Sequence, residues 1–105
     1  MEVPCICINA KNRPKEVPAK MWISEGIEYH ITHVSFLKRQ GIQGVELKEV
    51  KMKGCEPYEF YQLNRFAFTL ANIEKLMELI SLCTELNHVD IEKLVEESNL
   101  EIINK

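Results

Sequence analysis

Hydrophobic and polar residues alternate along the first two thirds of the chain with the two-residue period of β-strands. Residues 3–8 are apolar on both faces, which predicts a strand that is covered on both sides. Residues 27–36 place Ile27, Tyr29 and Ile31 on one face and polar side chains on the other. This second segment is therefore predicted to be a strand with one buried face and one wet face.

The middle of the chain is predicted to be a meander of short strands. Residues 44–50 and 58–63 alternate apolar with polar side chains, and each segment follows a turn that contains glycine or proline. The glycine-containing segment 38–41 is typical of a hairpin turn. We therefore expect the strands at 27–36 and 44–50 to pair antiparallel.

From residue 70 onward the apolar residues recur every three or four positions, which predicts helices. Thr69 is the predicted N-cap of the first helix, and Asn87 is predicted to end it. A second helix is predicted over 89–97, and the tail at 100–103 fits either a helix or a strand. The apolar stripe of the first helix consists of Ile73, Leu76, Met77, Ile80 and Cys83.

These elements predict a single α+β domain over residues 1–105. Short antiparallel strands with regular turns indicate a small barrel or sandwich over 1–68. A barrel of that length encloses too small an interior to be stable with a margin. We therefore expect residues 69–105 to form a C-terminal helical hairpin that packs on the barrel.

Three short motifs resemble small SH3-like barrel proteins carried by phages and integrated mobile elements. A G-x-x-Y motif begins at Gly26, a G-x-x-L-x-E motif begins at Gly44, and an aromatic segment ends in Arg65-Phe66. The resemblance covers about residues 1–68. It implies a partly open five-stranded SH3-like antiparallel barrel, without enzymatic activity, of a kind that binds protein or nucleic acid.

The charges are distributed unevenly along the chain. Thirteen basic and 16 acidic residues give a net charge of -3, which argues against a surface built as a whole to bind nucleic acid or anionic lipid. Residues 1–70 carry +2, whereas 71–105 carry -5. No apolar run is long enough to cross a bilayer, and the N-terminus lacks the pattern of a signal peptide. We expect a cytoplasmic protein without membrane association.

The basic residues of the first two thirds concentrate in two loops, which in barrels of this kind lie near binding surfaces. One hypothesis is a partner-binding rim, to which an exposed indole would contribute stacking. The alternative is that the lysines only solvate their loops and that the single tryptophan belongs to the core or covers the open end. We expect Arg65 to cap a carboxylate or backbone carbonyls at the closing turn. The candidate partner-binding residues are Lys11, Arg13, Lys15, Trp22, Lys38 and Arg39.

The four cysteines are expected to be free thiols, since a reducing cytosol does not support disulfides. Core packing accounts for Cys5 and Cys7, which lie two apart in a predicted strand. An alternative zinc site would combine Cys5, Cys7 and Cys55 with a histidine, but no pair has the spacing of a zinc knuckle. The candidate histidines are His30, His33 and His88. Because His30 and His33 are three apart, we expect them on opposite faces of the sheet.

No motif in the chain specifies a catalytic activity. We therefore predict a non-enzymatic adaptor, derived from a phage or mobile element, that binds a protein partner without a cofactor, a metal or catalytic residues. Two alternatives remain, a nucleic-acid-binding accessory module and a small thiol- or metal-dependent enzyme. Leu79, Leu82 and Leu86 form a second apolar row on the first helix. This row either mediates a homodimer or is covered by the second helix and the tail.

Overall fold

The computed structural model describes residues 1–37 and 42–103, which form six strands and two α-helices. The predicted hairpin turn at 38–41, with the candidate residues Lys38 and Arg39, lies outside the described residues. The strands are β1 (Val3–Cys7), β2 (Glu28–Leu37), β3 (Ile42–Leu47), β4 (Tyr61–Gln62), β5 (Phe66–Phe68) and β6 (Glu101–Ile102). The helices are α1 (Leu70–Cys83) and α2 (His88–Glu97).

The strands form one curled, mixed sheet in the order β4-β3-β2-β1-β5-β6. Neighbouring strands are antiparallel, apart from the parallel pair of β5 and β6. β1 lies between β2 and β5, and Val3, Cys5 and Cys7 are buried while the residues between them are half-buried. The prediction of a first strand covered on both sides is therefore confirmed, as is the antiparallel pairing of β2 with β3.

The alternation along β2 is interrupted by a bulge. The register shifts between Ile31 and His33, so one extra residue enters the strand. As a result the buried positions are Tyr29, Ile31 and Val34, and both half-buried His30 and exposed His33 fall between them on the other side of the strand. The expectation that the two histidines face opposite sides is wrong, because it assumed an uninterrupted two-residue period.

The sequence predicted the start of β2 and the extent of β4 less accurately. Ile27 was expected on the buried face, but it precedes β2 and is half exposed, next to the turn at Gly26. The strand predicted at 58–63 shrinks to β4. The reason is a tight turn in which the Tyr58 N–H donates to the Cys55 carbonyl at 2.8 Å instead of joining the ladder.

Both helices begin where a side chain caps them. The Thr69 hydroxyl accepts the Asn72 N–H at 3.2 Å, which confirms the predicted N-cap of α1. α1 ends at Cys83, since Thr84 is extended, so the prediction that Asn87 ends this helix is wrong. Asn87 instead caps α2, where its side chain accepts the Asp90 N–H at 2.9 Å.

The tail, which the sequence left open between helix and strand, is a strand. β6 pairs in parallel with β5, and the Ile103 N–H donates to the Phe68 carbonyl at 2.7 Å. The two helices therefore connect two neighbouring parallel strands, which is the role of a crossover connection. A division at residue 68 does not separate sheet from helices, because the chain returns to the sheet at its end.

Sheet and helices share one hydrophobic core. α1 contacts β1, β2 and β5, and its Leu76 and Ile80 are fully buried. They belong to the same cluster as the fully buried strand residues Ile31, Leu47, Tyr61, Phe66 and Phe68. The fold is thus α+β, with a sheet curled into a half-barrel and two helices. Over the residues described, neither helix is long and apolar enough to span a bilayer.

Candidate functional site

The first candidate surface surrounds Trp22, which follows a short 3-10 helix, Ala19–Met21. Its indole Nε1–H donates to the Ala10 carbonyl at 2.7 Å, and its ring centre lies 5.6 Å from that of Tyr61. The Tyr61 hydroxyl donates to the Met21 carbonyl at 2.6 Å. Burial is the main reason why the pKa of Tyr61 is raised to about 12, and the nearby Tyr29 and Cys55 raise it further. Trp22 is half-buried, and its indole N–H is already bonded within the chain.

Arg65, which lies directly before β5, joins the same cluster. Its Nη1 donates to the Asn9 carbonyl at 3.2 Å and to the Lys11 carbonyl at 2.8 Å. Its guanidinium carbon lies 5.1 Å from the centre of the Trp22 ring, within range of a cation–π contact. Burial lowers the pKa of Arg65. The expectation that Arg65 caps backbone carbonyls is confirmed, but these carbonyls belong to the loop after β1 and not to the closing turn.

The basic loop that follows β1 is therefore held by Arg65 and Trp22. The side chains of Lys11, Arg13 and Lys15 are exposed on it. Arg13 Nη1 donates to the Val17 carbonyl at 2.5 Å, so part of its hydrogen-bonding capacity is used inside the loop. The three candidate cations thus share one loop, and Arg65 links the start of that loop to Trp22.

The thiols of Cys5, Cys7 and Cys55 lie in the core. Burial, followed by the charge of Glu49, raises the pKa of Cys5 to about 12, and the Cys5 thiol donates to the Tyr29 carbonyl at 3.5 Å. Burial also raises the pKa of Cys7. A catalytic thiol needs its pKa lowered, so Cys5 and Cys7 are poorly suited to act as nucleophiles.

The zinc alternative finds no matching geometry in the part of the chain that the structure describes. There, no group of three or more His, Cys, Asp or Glu side chains is placed to hold a metal ion. His30 instead binds Glu49, with its backbone N–H at 2.8 Å from Oε1 and its ring Nδ1 at 2.5 Å from Oε2. Burial tends to raise the pKa of Glu49, but the hydrogen bonds from His30 outweigh it and lower that pKa.

A cysteine–histidine pair that no local sequence pattern indicates lies between α1 and β2. Cys83 Sγ is 3.5 Å from His33 Nδ1, beside a pocket of about 370 Å³ that Thr84, Glu85 and Leu86 also line. Cys83 is the half-buried thiol, in contrast to the three core cysteines. The two residues are 50 positions apart in the chain, and only the docking of α1 on the sheet brings them together.

The second candidate surface is a groove of about 480 Å³ between α1 and α2, here called the interhelical groove. Met77, Leu86 and Ile91 supply its apolar lining. Ile91 is fully buried, whereas Met77 and Leu86 are half-buried. The groove is further lined by Glu74, Glu78, Ser81, His88 and Glu92.

The rim of the interhelical groove is acidic. Glu74 and Glu78 lie one turn apart on α1, and Glu92 lies on α2; all three are exposed. Glu92 Oε1 is 2.8 Å from His88 Nε2. None of the described lining residues is a lysine or an arginine. The negative charge that the sequence assigns to the last third is thus partly gathered around an apolar depression.

The sequence predicted a self-association surface at Leu79, Leu82 and Leu86 rather than at the interhelical groove. Leu79 is 3% exposed and belongs to the core, so the prediction that it lies in a self-association surface is wrong. Leu82 is 71% exposed, and Leu86 lines the interhelical groove. The groove itself has a partial signal in the sequence, because 74, 77, 78 and 81 follow the three- and four-residue spacing of one helix face.

In comparisons with protein-family models, curated proteins and solved structures, nothing matches this chain.

Proposed function

We propose that this chain is a non-enzymatic adaptor that binds a protein partner, and that the partner docks in the interhelical groove. The observation that carries the proposal is an apolar depression that the two helices leave open to solvent. Its volume of about 480 Å³ falls in the range of about 300 to 1,000 Å³ that is usual for binding clefts. Met77 and Leu86 remain half-buried there, although α1 and α2 contact each other.

The occupant that fits such a surface is a segment of another protein with apolar side chains along one face. Two neighbouring helices that present an apolar floor bind such a segment as a helix in a groove, through anchors spaced three or four residues apart. Ile91 gives the floor a rigid base because it is part of the core. Half-buried Met77 adds an unbranched, adaptable side chain, a type that is common on partner-binding surfaces.

A nucleic-acid-binding accessory module is the second candidate. Exposed Lys11, Arg13 and Lys15 on a loop that Arg65 holds in place favour it. Trp22 adds less than the sequence suggested, because its indole N–H and ring are already engaged with Ala10 and neighbouring side chains. Affinity for single strands or duplexes that falls steeply with salt would support this alternative, and no binding at low salt would remove it.

We also propose that the sheet is related to the SH3-like barrels of phages and mobile elements. Two of the motif glycines have a physical role that is compatible with it. Gly26 adopts φ +85° in the turn before β2, and its N–H donates to the Cys7 carbonyl at 2.8 Å. Gly44 lies directly beneath the Phe60 side chain. Both positions favour glycine for steric reasons.

The docking site is tested with a helical peptide whose apolar face repeats at three- and four-residue spacing and whose other residues are glutamine. Titration into the labelled protein, followed by nuclear magnetic resonance, should shift the signals of Met77, Leu86 and Ile91 in a saturable way. Ser81→Phe should block the groove and weaken binding at least about fivefold. Leu82→Phe, one residue further along and facing solvent, is the matched control. Equal binding by both variants, or no saturable shift, would reject the docking site.

A further inference from the structure

Resting on the proposed function, we infer that the segment bound in the interhelical groove is basic and amphipathic, with apolar anchors flanked by lysine and arginine. The evidence is that both helices contribute glutamates to the rim of this apolar groove. Glu74 and Glu78 project from α1, and Glu92 projects from α2. A partner with cations beside its anchors would meet a carboxylate whichever wall it approached.

Apolar contact provides the binding energy, and the acidic rim selects the partner. Met77, Leu86 and Ile91 bury whatever apolar side chain enters the groove. Charges at the edge of an interface chiefly set specificity and association rate, because like charges brought together are unfavourable. An acidic segment would place its carboxylates against Glu74 and Glu78, whereas a basic segment would pair with them. The net charge of -5 on residues 71–105 adds a long-range attraction for cations.

A second copy of this chain fits the groove poorly. A symmetric contact through the groove would face the three rim glutamates of one copy with those of the other, which is repulsive. The alternative, insertion of one copy's basic loop into the next copy's groove, is a head-to-tail contact that does not close on itself. It is therefore kept as an outcome of the experiment rather than as the proposal.

The experiment compares three helical peptides of about five turns that share one apolar face. Their remaining positions are lysine and arginine, glutamine, or glutamate. Affinity is measured by fluorescence anisotropy at about 0.05 M and 0.5 M salt, across which screening increases strongly. The basic peptide should bind at least about tenfold more tightly than the neutral one at low salt, and the ratio should shrink at high salt. The acidic peptide should bind most weakly.

A pair of matched variants locates the selectivity at the groove. The double variant Glu74→Gln/Glu78→Gln should weaken binding of the basic peptide about three- to tenfold and leave the neutral peptide unchanged. The control, Glu96→Gln/Glu97→Gln, removes the same charge from exposed positions of α2 that do not line the groove. It should change the affinity for the basic peptide less than about twofold.

The outcomes separate this inference from the proposed function. If the neutral peptide binds as tightly as the basic one, the charge selectivity is rejected while docking in the groove stands. Equal effects of the two double variants would also reject it, since general attraction would then explain the preference. If none of the three peptides binds, both proposals fall. Self-association without peptide that Glu74→Gln/Glu78→Gln abolishes would assign the groove to the basic loop of another copy.

Discussion

The guanidinium carbon of Arg65 lies 5.1 Å from the centre of the Trp22 ring, while Arg65 Nη1 donates to the Lys11 carbonyl at 2.8 Å. One side chain thus joins the turn before β5 to the start of the basic loop and to Trp22. Trp22 also holds this loop, because its Nε1–H donates to the Ala10 carbonyl at 2.7 Å. The loop is therefore ordered by two residues that the sequence had placed among candidates for binding or capping.

Arg65→Lys should destabilise the protein although the charge is retained. A lysine ammonium cannot reproduce the planar fork that bonds two carbonyls and covers the indole ring. We expect a loss of about 1 to 2 kcal/mol in the free energy of unfolding, measured by urea denaturation. Lys15→Arg, on an exposed position of the same loop, should change it by less than about 0.5 kcal/mol. An unchanged midpoint for Arg65→Lys would contradict the assigned role.

Gly44→Ala should destabilise the pairing of β3 with β4. A Cβ at residue 44 would lie 2.5 Å from Phe60 Cβ and 2.9 Å from its Cγ, so the backbone of one segment would have to shift. We expect a loss of about 1 to 3 kcal/mol in thermal or urea unfolding. In a Phe60→Gly background the same change should cost much less, because the opposing Cβ is gone. Equal costs in both backgrounds would show that close packing is not the reason.

Two leucines of α1 give opposite predictions. Leu79→Ala should lower the free energy of unfolding by about 2 to 5 kcal/mol, because the residue lies in the core. Leu82→Ala should change it by less than about 0.5 kcal/mol, because that side chain is mostly exposed. Solution mass by light scattering tests the predicted homodimer in parallel. If self-association uses this helix, Leu82→Ala should weaken it at unchanged stability.

The thiols should differ sharply in reactivity toward an aromatic disulfide reagent. Cys83 is half-buried beside an open pocket, whereas the three core thiols are at most 6% exposed. One thiol per folded chain should therefore react fast, and the others at the rate at which the protein opens. Cys83→Ser should abolish the fast phase. A fast phase that survives this substitution would show that a core thiol is accessible.

The pair of His30 and Glu49 should make stability depend on pH in the acid range. The pKa of Glu49 is below its ordinary value of 4.5, since the hydrogen bonds from His30 outweigh the effect of burial. Its contribution is thus fully present above about pH 4.5 and is lost as the pH falls through the lower pKa of the folded state. Glu49 is about one third exposed, so the contribution should stay below about 1 kcal/mol. Glu49→Gln should flatten the stability curve below pH 4.5, and parallel curves would contradict this.

The regular strands could be predicted from the sequence more accurately than their irregularities. Buried Val45 and Leu47 follow from simple alternation. The bulge after Ile31 does not, since it depends on how β2 and β3 align. In the same way the Thr69 cap is readable from local preference, whereas the choice of Asn87 as the cap of α2 depends on where α1 ends.

The candidate sites depended more strongly on the tertiary structure. Cys83 and His33 are 50 positions apart, and no local pattern links them. Likewise the helical period of α1 does not reveal which of Leu79 and Leu82 faces the core, because a wide apolar stripe fits several orientations. The orientation is decided by contact with the sheet, where Leu76 and Ile80 are fully buried.

The amino-acid sequence by itself determined an α+β chain, with strands in the first two thirds, helices after residue 69 and most of the negative charge in the last third. These features follow from local periodicity and composition, which need no knowledge of neighbours in space. Only the tertiary structure decided that the tail returns to the sheet beside β5 and that an acidic rim surrounds an apolar groove. Pairing between distant strands and the facing of two helices are non-local contacts, so they become fixed only when one core is packed.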